Sequence, residues 1–110
     1  MRGFKLLFIC SRNRWRSLTA EKIFDGANDI QARSAGTEPG ARIRVTGGQL
    51  SWADIIFVME KKHLRRLQEK FQETIADKKV VCLHIADDYE FMQPELIDLL
   101  EAGVAPHLHS

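Results

Sequence analysis

Short apolar runs, each far from long enough to cross a membrane, constrain this chain's fold most. Phe4–Cys10 is almost continuously apolar, and Asp54–Met59 and Lys79–Ile85 carry similar runs at their centres. Such segments suit strands buried on both faces of a parallel sheet. Ile30–Ala35 alternates weakly and predicts a fourth, shorter strand towards an edge. The longest runs, Leu6–Cys10 and Ile55–Met59, fall well below the roughly 20 residues of a membrane helix.

Helical periodicity fills most of the gaps. Ser17–Phe24 can turn Ala20, Ile23 and Phe24 towards the sheet, and Asp25–Asn28 ends it. Glu60–Ile75 has an apolar stripe of Leu64, Leu67, Phe71 and Ile75 opposite Lys61, Lys62, Arg65, Arg66, Glu69 and Lys70. His63 lies off that stripe, which predicts a surface role. Pro94 suits the first turn of a last helix, with Leu96, Ile97, Leu100 and Val104 inward. Gly36–Gly48 reads as the least ordered part, with a short helix from about Thr46 to Trp52. Pro106–Ser110 reads as a fraying tail.

The order β-α-β-loop-β-α-β-α predicts an α/β fold of three layers: a four-stranded, mostly parallel sheet with helices on both faces. The 110 residues suit a single domain over 1–110. A net charge of +1 gives no bulk basic field, so no nucleic-acid partner is expected, nor a membrane one. No secretory signal pattern is present, and a cytoplasmic address is expected. There Cys10 and Cys82 would be free thiols, with a structural disulfide as the alternative. His84, His107 and His109 share no ligand spacing with carboxylates, so neither a metal nor another cofactor is expected.

In such sheets ligands sit beyond the carboxyl ends of the strands, where Cys10 and Asp87 both fall. Between the first strand and the first helix runs Cys10-Ser11-Arg12-Asn13-Arg14-Trp15-Arg16-Ser17. A loop this short can converge its backbone N–H groups on one anion, helped by the positive end of the helix. Arg16 can grip phosphate oxygens with two parallel N–H groups. The same field favours the thiolate form of Cys10, the nucleophilic form.

At these residues the chain resembles the low-molecular-weight protein tyrosine phosphatase family, whose loop is Cys-x5-Arg-Ser with an Asn matched by Asn13. The likeness extends to Thr19-Ala20-Glu21, to Ser34-Ala35-Gly36-Thr37, to Ala53–Met59 with the helix after it, and to Asp87-Asp88-Tyr89. It is discontinuous, spans most of the chain, and looks closest to a shortened bacterial branch. The resemblance implies a phosphatase acting on a phosphorylated protein or aryl phosphate; a monomer is the default expectation, since no sequence feature points to oligomerisation. Cys10 would form a phosphocysteine, Arg16 would hold the equatorial oxygens, and Asp87 would be the general acid and then base. Ser17 would hydrogen-bond the Cys10 sulfur, Asn13 would shape the loop through a left-handed backbone angle, and Tyr89 would wall an aromatic slot. Ser11, Arg12, Arg14 and Trp15 complete the phosphate-binding loop.

The departures from that pattern are specific. Arg12 stands where the family has Gly, and Trp15 where many members have a second Cys. Ser11 and Arg14 replace apolar residues, and Gly36–Gly48 carries no aromatic side chain. Arg12 and Arg14 either recruit acidic phosphoprotein segments or stay solvated. Trp15 belongs under the loop or at the pocket rim, Trp52 in the core, and Cys82 in mid-strand as an inert thiol. Asp88 competes with Asp87 for the acid role. A phosphate- or phosphoprotein-binding module with little turnover is the alternative of another class. An arsenate reductase would need more cysteines, and a sugar-phosphotransferase domain would need neither Arg16-Ser17 nor an acid.

Overall fold

In the computed structural model, which describes residues 3–108, the apolar segments pair as one all-parallel sheet. Its strands are β1 (Phe4–Cys10), β2 (Ile30–Gly36), β3 (Ile55–Val58) and β4 (Lys79–Cys82), in the order β2-β1-β3-β4. The central pair are the most apolar, because only they need water-free side chains on both faces. Leu6, Phe8, Ile55 and Phe57 point to one side, and Leu7, Ile9, Ile56 and Val58 to the other.

The first face is covered by α1 (Arg16–Phe24) and α4 (Pro94–Val104), through Ala20, Leu96, Leu100 and Val104. Phe8 stacks between Phe24 and Phe57, with centroids 5.6 and 5.2 Å away. The second face is covered by α2 (Gly47–Trp52) and α3 (Lys61–Ile75), through Leu50, Leu67 and Ile75. Thr46 caps α2, its hydroxyl accepting from the Gln49 N–H while the Gln49 side chain accepts from Thr46 N–H. Trp52 packs partly against this second core, with the Arg33 guanidinium 4.2 Å over its ring.

Four expectations need correction. Strand β4 stops at Cys82, because His84 takes a left-handed φ of 56°; Leu83 and Ile85 still donate to Val58 and Met59 carbonyls. Cys82 is therefore a half-buried strand end on the sheet's edge, 3.6 Å from His84 Nδ1, not a mid-strand thiol. The Gly36–Gly48 segment is not loose: the backbone N–H groups of Gly36, Glu38 and Arg42 donate to the carbonyls of Ile43, Ser11 and Arg12 respectively. The start of the expected tail is ordered, since Ala105–His107 forms a 3-10 turn whose His107 ring meets Phe57 edge-on. His109 and Ser110 lie outside the described residues.

Candidate active site

Strand β1 delivers Cys10 to the carboxyl edge of the sheet, and the chain then curls through Ser11–Trp15 into α1. Asn13 makes the curl possible with φ 57°, the left-handed conformation that Asn tolerates better than most residues. Its side-chain amide donates to the Ser17 hydroxyl over 2.8 Å. Ser17 in turn lies 2.9 Å from Cys10 Sγ. With the Asn13 N–H occupying an acceptor lobe of Ser17, the hydroxyl proton is free to point at sulfur. Asn13 and Ser17 are fully buried, so this chain of bonds sits beneath the loop.

Arg16 is 2% exposed although it opens α1. A guanidinium survives there because acceptors face it on more than one side. Nη1 donates to Glu60 Oε1 at 2.6 Å and to the Ile85 carbonyl at 2.8 Å, and Nε lies 3.7 Å from Asp87 Oδ1. The Arg16 hydrogen bond holds the Glu60 carboxyl below its usual range, against the opposing pull of partial burial. Glu60, the residue before α3, was not legible as a partner of Arg16; its place at the end of the apolar run that forms β3 is the only local signal.

His63 corrects the sequence-based expectation of a surface role: it is 1% exposed. Its Nδ1 accepts the Glu60 N–H at 3.0 Å, so the neutral ring keeps its proton on Nε2 and donates to Ser11 Oγ at 2.9 Å. The ring thus ties the start of α3 to the loop. Positions 63, 67 and 71 share one helix face at four-residue spacing, and this pattern would have placed His63 inward. Burial first, then the nearby Arg16 charge, pushes His63 down to about 4 from 6.5.

That depression has a stability consequence. Between those two values the unfolded chain binds the proton and the folded one does not, so stability falls as pH drops. Acidification from about pH 7 to 5 is expected to cost about 2 kcal/mol through this group. Urea unfolding of the wild type and His63→Gln at both pH values checks it; equal losses in the two proteins would contradict the assignment.

The segment after β4 carries Asp87 and is fastened to α1, since Met92 N–H donates to Thr19 Oγ1 at 3.0 Å. Thr19 therefore positions the loop with the carboxylates, a role its sequence context did not reveal. A cleft of about 330 Å³ opens where these parts meet, lined by Cys10, Ser11, Arg12, Arg14, Trp15, Arg16, Glu38, Lys62 and Asp87. Trp15 is at its rim, 46% exposed. Asp87 lines the cleft and Asp88 does not. Tyr89 is half-buried against the Phe8–Leu96 core and is not among the lining residues. Among the described residues, no three His, Cys, Asp or Glu side chains gather as a metal-ligand set.

A cysteine at the end of a central parallel strand, a short loop into a helix and covering helices on both faces define the low-molecular-weight protein tyrosine phosphatase fold. Among solved structures, SP-PTP, the low molecular weight protein tyrosine phosphatase from Streptococcus pyogenes, aligns with TM-score 0.72 and 17% identity over 97% of this chain and 94% of that one. Vibrio vulnificus Wzb, solved in complex with benzylphosphonate, aligns with TM-score 0.74 and 19% identity over 94% and 96%. The YwlE arginine phosphatase from Geobacillus stearothermophilus gives 0.63 and 18% over 97% and 99%. No family model matches the sequence, and no curated protein matches it. At such identities the likeness establishes the fold, and the chemistry has to come from the site itself.

Proposed function

We propose that this protein is a cysteine-dependent phosphomonoester hydrolase of the low-molecular-weight tyrosine phosphatase type, acting on phosphotyrosine or a related aryl phosphate. The observation that carries this reading is the meeting of Cys10, Arg16 and Asp87 in one cleft. Cys10 Sγ attacks phosphorus as the thiolate, and the bond to the leaving oxygen breaks as protonated Asp87 gives that oxygen its proton. Arg16 stabilises the transferring phosphoryl group through N–H groups not committed to Glu60 and Ile85. Asp87 then takes a proton from water as the water oxygen attacks phosphocysteine. The S–P bond breaks, inorganic phosphate leaves, and Ser17 hydrogen-bonds the departing sulfur. One copy of the chain carries every group required, so a monomer suffices, and the reducing cytoplasm would keep Cys10 free.

The benzylphosphonate bound by Wzb is a non-hydrolysable aryl-type phosphonate, which supports an aryl phosphate as the substrate class. Asp87→Asn tests the acid role through the leaving group. With phenyl phosphate near about pH 6, kcat/KM, which reports the step that expels the leaving group, is expected to fall about 10²–10⁴-fold. With p-nitrophenyl phosphate, whose phenolate leaves without help, the loss is expected to be much smaller. Equal losses of kcat/KM on both would remove Asp87 from the role of acid to the leaving group. Tight phosphate binding by the wild type with no turnover of either ester would favour the binding-module alternative instead.

A further inference from the structure

Beside the catalytic cleft lies a second depression of about 510 Å³, lined by Arg12, Arg14, Glu38, Gly40 and Arg42. Arg12, Arg14 and Glu38 line both, so the two spaces share a wall and form one path across the surface. No apolar side chain lines the second space. It offers an anion three guanidiniums.

These guanidiniums are only partly neutralised. Glu38 Oε1 stands 3.8 Å from Arg12 Nε, and Glu21 Oε1 stands 4.0 Å from Arg42 Nη2. Arg14 takes part in no ion pair among the described residues. The groove is also held in shape. Arg42 N–H donates to the Arg12 carbonyl and Glu38 N–H to the Ser11 carbonyl, each at 3.0 Å, while Arg42 Nε donates to the Asn13 carbonyl at 3.3 Å. The contact is close enough that a Cβ on Gly36 would come within 2.5 Å of the Ser11 carbonyl oxygen. Two backbone segments clamped together thus present planar, two-pronged cations beside the reacting sulfur.

We propose that this arginine groove binds acidic side chains flanking the phosphorylated residue of a peptide substrate. The inference rests on the phosphatase reading for its biological sense and specifies the substrate class of the same site. A groove running away from the cleft fits an extended chain whose phosphorylated residue sits over Cys10 and whose neighbours carry carboxylates. Arginine pairs with such carboxylates bidentately, which favours this flank over a neutral or basic one.

The test uses two phosphotyrosine peptides of equal length, one flanked by Asp and Glu and one by Asn and Gln. Affinity is read by calorimetry on Cys10→Ser, so that no peptide is consumed, and kcat/KM is read in parallel on the wild type. The acidic peptide is expected to bind about tenfold more tightly. Arg12→Gln with Arg14→Gln in the same background is expected to bring the two affinities within about twofold. Glu38→Gln, which removes the competing carboxylate without removing a cation, is expected to widen the preference by about twofold. Equal affinities on Cys10→Ser, or a preference untouched by both changes, would overturn the proposal. Turnover of neither peptide by the wild type would refute the phosphatase reading, while the affinity ratio would still decide on the groove.

Discussion

Cys10→Ser is expected to reduce aryl phosphate turnover at least about 10⁴-fold while leaving the fold and the anion site in place. The hydroxyl of serine stays protonated at neutral pH and is a far weaker nucleophile than a thiolate. The substitution is nearly isosteric in a position only 3% exposed. The neighbouring Ser17 hydroxyl, 2.9 Å from the native sulfur, remains available as a partner. The loop's N–H groups, the positive end of α1 and Arg16 are untouched, so inorganic phosphate should still bind. Steady-state kinetics on p-nitrophenyl phosphate, calorimetry with inorganic phosphate and a thermal melt read the three parts separately. Residual turnover above about one part in a hundred would show that the sulfur does not carry the reaction.

Arg16→Lys is expected to cost about 10²–10⁴-fold in kcat/KM, a large effect for a change that keeps the charge. In the native protein one nitrogen, Nη1, serves Glu60 and the Ile85 carbonyl together. That leaves Nη2 without a protein acceptor among the described residues, in a side chain that lines the cleft. An ammonium can satisfy Glu60, but it has no second rigid edge to offer the phosphoryl oxygens. It would also leave the Ile85 carbonyl to other partners in a nearly water-free place, so a modest loss of thermal stability should accompany the kinetic one. Comparison of kcat/KM with the thermal midpoint separates them. A folded Arg16→Lys protein with near-native kcat/KM would mean that the guanidinium is structural and grips no substrate.

The tight coupling of Arg16 to residues far along the chain explains which features were legible beforehand and which were not. Strand β1, the loop after it and the inward faces of α1, α3 and α4 follow from local patterns. A run such as Leu6–Ile9 has few ways to avoid water, and helical spacing decides which of its residues a helix hides. The roles of Glu60 and His63 do not follow in that way. They reach the loop only because β3 lies next to β1 and ends at the same edge, a neighbour relation set by the packing of the whole sheet. The Gly36–Gly48 segment looked loose for a similar reason. Its order comes from backbone bonds to Ser11 and Arg12, and backbone groups carry no signature in a sequence.

From the residues alone came the class of fold, the loop, and the expectation that Cys10 and Arg16 face one site. These depend on hydrophobic periodicity and on chemistry that particular side chains possess wherever they stand. Tertiary structure decided which of the 16 Lys and Arg residues is buried against Glu60. It also decided that Asp87 lines the cleft while Asp88 does not, and that three arginines share a groove beside it. Ion pairs and hydrogen bonds act over a few ångströms, and only the crossing of strands and helices brings residues 16, 60, 63 and 87 within that range.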